Sequence, residues 1–290
     1  MGTGTVGAST VGASQIAAVL GRDPWTSRYQ VYQRLRGQSI EPTEPMFWGL
    51  FLEGPILKGA IYRGVFDGII DADPDEMAAL VGKQRTGRNM RYPHLHATPD
   101  LSDDDWVVEC KNIDSMMWWR QDNDFAEHHK IQLRCQRYVC AARVGVLVGL
   151  VGGNRLQVLV DDADLDTDAM KAQAEAWDEA AAEMLARVEA GNPPDPIGTE
   201  VEMLALRANL EPPVKESIEI DGEIYDALCE AAQMRDRLKT DKKEIEAAKI
   251  SLLQHMGEHK EATWMGRTVA TWSGRTLRIR WEDLGRPWSD

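Results

Sequence analysis

"HATPDLSDDDWVVECKN", residues 96–112, sets an aspartate after a proline and, nine residues later, a glutamate and a lysine on either side of a cysteine. WVVECK reads as a strand and HLHAT as another, with LSDDD as the turn between them. Side chains alternate along a strand, so Val107, Glu109 and Lys111 share one face, and Trp106, Val108 and Cys110 the other. A strand that buries its tryptophan and valines does not ordinarily set a glutamate beside a lysine on its second face, unless that face is an exposed edge. A hairpin of this size returns Asp100 to the neighbourhood of Glu109. Two carboxylates that meet repel unless a cation lies between them, and ligands that are all oxygen select a hard ion such as magnesium or manganese.

Two other segments carry polar groups inside apolar patterns. "TEPMFWGLFLEGPILKGAIYRG", residues 43–64, reads as a helix interrupted by Pro55, with Met46, Leu50, Glu53 and Leu57 on one stripe. Either Glu53 is paired, protonated or metal-bound, or it lies at the edge of the stripe and reaches solvent. "NDFAEHHKIQLRCQRYVCAAR", residues 123–143, reads as a long helix with Gln132 on the face of Phe125, His128, Cys135 and Val139. Such a glutamine either bonds a core carbonyl or orients Lys111 or a substrate phosphate.

The flanking chain is legible in outline. The pentapeptide TVGAS occurs twice in tandem, and the second copy leads into a helix with Ser14 as N-cap and Gly21 as stop. A second helix starts near Thr26 or Ser27 and ends at Gly37. VGVLVGLVGGNRLQVLVDD predicts a hairpin about a Gly-Gly-Asn turn, and residues 167–191 a helix. The run DDADLDTD reads as a solvated loop. The breaker cluster GNPPDPIGTE opens a linker over 198–216, which separates a domain over 1–197 from an extension over 217–290. Residues 221–257 of that extension form one long helix or a broken pair. Ile224, Leu228, Ala231, Leu238, Ile245, Leu252 and Met256 make its apolar stripe, interrupted by Lys242, and the tail reads as a hairpin plus a strand.

Composition bounds the function. The chain has 290 residues, a net charge of -14 and 43% apolar residues, enough for a real core. Such charge argues against coating nucleic acid non-specifically, but it suits a carboxylate site that needs cations. Cys110, Cys135, Cys140 and Cys229 fit no zinc or iron–sulfur spacing and read as small residues in a reducing cytosol. No run of roughly 18 apolar residues is present, and the N-terminus lacks the regions of a secretory signal. Arg275, Arg278 and Arg280 with Trp264, Trp272 and Trp281 have the ingredients of a nucleic-acid surface, and equally of an amphipathic strand packed on the extension. In MMWW, residues 116–119, a wedge between base pairs competes with a buried corner.

VGASQIAAVLG, FWGLFLE, ATPD, VVECK and KIQLRCQRYV resemble, in order, the motifs of the phage lambda exonuclease and YqaJ-like viral recombinase nucleases of the PD-(D/E)-x-K superfamily. The resemblance covers roughly residues 6–165. It implies a restriction-endonuclease-like α/β core, with a mixed central sheet flanked by helices, to which the residues from 217 onward add the helical extension ending in a β-hairpin read above. It implies a catalytic set of Glu53, Asp100, Glu109, Lys111 and Gln132, with magnesium or manganese, two ions in all, held by Asp100, Glu109, the Cys110 carbonyl and Glu53 directly or through water. Ser14 would meet a DNA phosphate. The family's arginine seven residues earlier is Gly7 here, which passes phosphate capture to Arg22 or Arg28, and the second glutamine of Q-x-Q is Arg134. The implied activity is exonucleolytic resection of double-stranded DNA ends, 5′→3′, for phage-type recombination. The implied setting is a bacterial host's cytoplasm, with a ring-like homo-oligomer, a single-strand annealing recombinase as partner and no membrane. Its rivals are an endonuclease or junction resolvase on the same fold, and a non-catalytic module that binds DNA or a partner.

Overall fold

The structure, a computed structural model, describes residues 9–38, 43–210, 212–237, 242–281 and 284. Gly7 and Leu238 lie outside them. The chain divides into two compact units, one of Met1–Asp23 with Val31–Asn192, the other of Pro24–Gln30 with Pro193–Asp290. Among the described residues no helix is long and apolar enough to cross a membrane.

The first unit is mixed α/β. Its elements are β1 (Val11–Gly12), α1 (Ala13–Val19), the latter part of α2 (Arg28–Leu35), α3 (Glu44–Tyr62), α4 (Pro74–Leu80), β2 (Gly87–Asn89), β3 (Tyr92–Ala97), β4 (Leu101–Ser102) and β5 (Trp106–Ile113). Then follow α5 (Ser115–Arg120), α6 (Glu127–Cys140), β6 (Val144–Val151), β7 (Arg155–Asp161) and α7 (Asp168–Ala190). The main sheet runs β4-β5-β6-β7, with β5 parallel to β6 and the other pairs antiparallel. The apolar run of β6 suits a strand covered on both faces. Trp106, Val108 and Cys110 of β5 pack with Ile56, Leu57 and Ala60 of α3, whereas Val107 and Leu147 pack with Trp118, Phe125 and Leu133. Gly152 and Gly153, at φ 59° and 75°, make the turn between β6 and β7, a conformation that only glycine adopts cheaply.

HLHAT does not pair with WVVECK. β3 lies between β1 and β2 in a separate three-stranded sheet, and the antiparallel partner of β5 is the short β4, with Leu101 opposite Val108. Pro99 has no N–H to continue a ladder, so the chain leaves one sheet there and enters the other. Ser14 is not an N-cap: Gly12 is, and its N–H donates to Gln15 Oε1 at 3.1 Å. Ser27 Oγ does cap its helix, accepting the Gln30 N–H at 3.1 Å. Pro55 does not interrupt α3, which runs through it; burial of Ile56, Leu57, Ala60 and Ile61 in the next turns offsets the missing donor. Asp161, in the acidic run, is buried and holds Arg134 and Arg137 rather than facing solvent. Trp118 is the buried corner of MMWW, edge-on to Phe125, while Trp119 is exposed.

The second unit holds α8 (Glu200–Asn209), β8 (Lys215–Glu219), α9 (Gly222–Arg237), α10 (Lys242–Met256), β9 (His259–Trp264), β10 (Arg267–Trp272) and β11 (Leu277–Ile279). The sheet order is β11-β10-β9-β8: the antiparallel β9 and β10 with β11 occupy the tail read as a hairpin plus a strand, and β8 adds a fourth strand parallel to β9. Most of the expected linker over 198–216 is structured. Thr199 Oγ1 caps α8 by accepting the Glu202 N–H, Glu202 Oε2 accepts from Ile197 and Gly198, and Met203 and Leu206 are buried. The 221–257 segment is a broken pair of helices with Leu228, Ala231, Leu252 and Met256 in the core. Trp272 is buried there and Trp264 stacks on Tyr225 at 4.3 Å, so these two rings serve packing.

Candidate active site

The site forms where β5 outruns β4. Beyond Val108 that edge of β5 has no strand partner among the described residues, and the Cys110 N–H donates instead to Asp100 Oδ2 at 2.8 Å. The N–H and C=O of one residue point the same way in an extended strand, so the Cys110 carbonyl faces the Asp100 side as well. Asp100 Oδ1 accepts from Gln84 Nε2 at 3.3 Å. The Cys110 thiol donates to the Glu53 carbonyl at 3.7 Å, which ties α3 to β5 beside the two carboxylates. Burial, together with Asp100, pushes that thiol's pKa well up, so Cys110 is an inert side chain with a useful backbone.

Glu109 is only 4% exposed and is the hub. Its Oε1 accepts Lys111 Nζ and Gln132 Nε2, each at 2.5 Å, and its Oε2 accepts Gln136 Nε2 at 2.6 Å. Three donors, one of them cationic, hold this carboxylate at both oxygens. Asp100 is 7% exposed, and its donors among the described residues, the Gln84 amide and the Cys110 N–H, are neutral. Burial first, then the charge of Glu109, push its pKa up to about 7, against the pull of the Cys110 N–H and Lys111. Burial lowers the Lys111 pKa, but the Glu109 carboxylate more than offsets that, so the ammonium stays charged. Burial and Glu109 raise Glu53 in turn. His129 is pushed down to about 2 by burial, His128 and Lys111, which makes it a neutral neighbour.

The structure therefore brings together Asp100, Glu109, Cys110, Lys111 and Gln132, with Glu53 close enough for its charge to be felt. Glu53 is half-buried, but the stripe ahead of it is not a buried one: Met46 and Leu50, like Phe47, Trp48 and Phe51, are exposed. Ser14 is exposed in the first turn of a seven-residue helix, and exposed Arg22 pairs with Glu127 at 3.0 Å. Arg28 belongs to the second unit, where its charge acts on buried Glu202.

Gln136 escapes a reading based on Q-x-Q. Gln132 and Gln136 stand four residues apart and so share a helix face, while Arg134 points away to bond Asp161 on β7. The signal was the second glutamine at helical spacing, in a helix whose register Gln132 already fixed.

The donor set suits a hard divalent cation: two carboxylates, one with its pKa raised by burial and then by the charge of the other, and a backbone carbonyl on the same side. Among the described residues no group of three His, Cys, Asp or Glu side chains could hold a metal by itself. Magnesium is commonly held by one or two carboxylates with waters completing its shell, so such a cage is not required.

No family model and no curated protein matches the chain. Solved structures do. An alkaline exonuclease, LHK-Exo, from Laribacter hongkongensis is similar over 69% of this chain and 93% of its own, at 19% identity and a TM-score of 0.42. A phage related exonuclease from Haemophilus somnus 129PT is similar over 63% of this chain and 96% of its own, at 10% identity and a TM-score of 0.42. At these values the likeness concerns the course of the chain and says nothing of the residues at the site.

Proposed function

We propose that the chain is a metal-dependent deoxyribonuclease that degrades double-stranded DNA from its ends, in the manner of the lambda exonuclease and YqaJ-like nucleases. The observation that carries this reading is the meeting of Asp100, Glu109 and Lys111 at the open edge of β5, with a hydrogen-bonded carboxylate beside one of raised pKa. Asp100, Glu109 and the Cys110 carbonyl would hold the cation, and Glu53 would reach it directly or through water. A bound divalent ion supplies the charge that acidifies the attacking water and neutralises the phosphoryl oxygens. Lys111, held on Glu109, places a fixed ammonium where that water and the phosphate meet and stabilises charge that develops in the transition state. Gln132 keeps Glu109 oriented. The polarity we propose is 5′→3′, with two magnesium or manganese ions, a ring-like homo-oligomer, a single-strand annealing partner and a role in phage-type recombination.

The test is end-labelled linear duplex against covalently closed circle, with magnesium or with EDTA. Loss of the linear duplex alone, and only with magnesium, is expected. Cutting of the closed circle would make the chain an endonuclease, and no cutting of either would remove the catalytic reading.

A further inference from the structure

Gln136 is the group at the site that no motif accounts for. It is 1% exposed and stands one helical turn beyond Gln132 on α6. Its amide nitrogen holds Glu109 Oε2, whereas Lys111 and Gln132 both hold Oε1. The orientation of the amide follows from that neighbour, because the reverse would set a carbonyl oxygen against a carboxylate oxygen. Its own Oε1 is then buried with no hydrogen-bond partner among the described residues. A side chain that served packing alone would not leave an acceptor stranded there, since methionine fills the same volume without one.

We propose that Gln136 is a positioning residue for cation binding. A carboxylate gripped at one oxygen can still turn about that grip; gripped at both, it presents Oε2 in one direction only. Gln136 supplies the second grip, and its stranded Oε1 is an acceptor for a water of the cation's shell. This rests on the divalent-cation site set out under Proposed function, and outer groups of this kind typically change metal affinity ten- to a hundred-fold.

The experiment is calorimetric titration of the full chain with manganese, without DNA, for the parent, Gln136→Met and Gln136→Asn, beside their metal-free melting temperatures. Met keeps the volume and removes both the grip and the stranded acceptor. Asn keeps the amide but is one methylene too short to reach. Both variants should bind manganese about tenfold or more weakly while still melting cooperatively without metal, Gln136→Met at a lower temperature because it leaves Glu109 Oε2 without that donor. Parental affinity in either variant overturns the proposal, and so does loss of a cooperative metal-free melt in both, which would make Gln136 a residue that holds the fold. If the parent itself binds no manganese, it is the divalent-cation reading that falls.

Discussion

Asp100 and Cys110 are joined by a 2.8 Å hydrogen bond from the Cys110 N–H to the Asp100 carboxylate. That bond takes the place of a strand partner, so the end of β4 is what delivers the first carboxylate to the second. Asp100 is thus fixed by a backbone donor in a place where burial and the charge of Glu109 disfavour its ionised form.

The first consequence is a pH dependence of the metal-free protein. The Asp100 pKa is raised from 3.8 to about 7 in the fold, so between these values the native state binds the extra proton. Stability from this group is fully present below about pH 4 and is lost as pH rises towards 7. In EDTA, the parent should lose stability relative to Asp100→Asn over that window, by an amount on the order of a few kcal/mol at most. Parallel melting curves for the two proteins across the window would contradict the raised pKa that burial and Glu109 give Asp100.

The two carboxylates should respond differently to truncation. Asp100→Ala should abolish magnesium-dependent cleavage and leave the metal-free melting temperature at or above the parent's. Glu109→Ala should also abolish cleavage, but it strands Lys111, Gln132 and Gln136 together and should cost about 3 kcal/mol or more of stability. Chemical denaturation of both variants checks this, and equal stabilities would show that Glu109 is not the hub.

Truncation should respect the two units. A cut after residue 216 leaves α8 with Met203 and Leu206 stripped of the core they fill. That product should aggregate or bind a hydrophobic dye, whereas the full chain should not. A cut product that stays monomeric and dye-free would mean that α8 needs none of its partners in the second unit.

Strand alternation was legible, because VVECK carries its own period, and so was the helical face of Gln132. The partner of β5 was not. An apolar run beside a turn reads as a hairpin, and only the proline at 99, which cannot continue a ladder, marks where β3 leaves for another sheet. Gln136 was hidden by a motif whose second glutamine is expected two residues along, although helical geometry favours four. The exposed Met46 and Leu50 show the limit of stripe arguments, because periodicity reports which residues share a face and not whether anything covers it. The helix at 200–209 was masked by the breakers before it, which in fact supply its capping residues.

The measurement that bears most directly on the catalytic account is the single-turnover cleavage of a saturating end-labelled duplex by the parent and by Lys111→Ala in magnesium, with duplex affinity measured separately in calcium. Lys111 is held on Glu109 at 2.5 Å, so its ammonium sits with the acidic pair rather than out along a DNA backbone. The account predicts near-parental affinity and a cleavage rate lower by roughly a hundredfold or more, the scale of losing a preorganised electrostatic contact. A variant that cuts at the parental rate once DNA is saturating would contradict it.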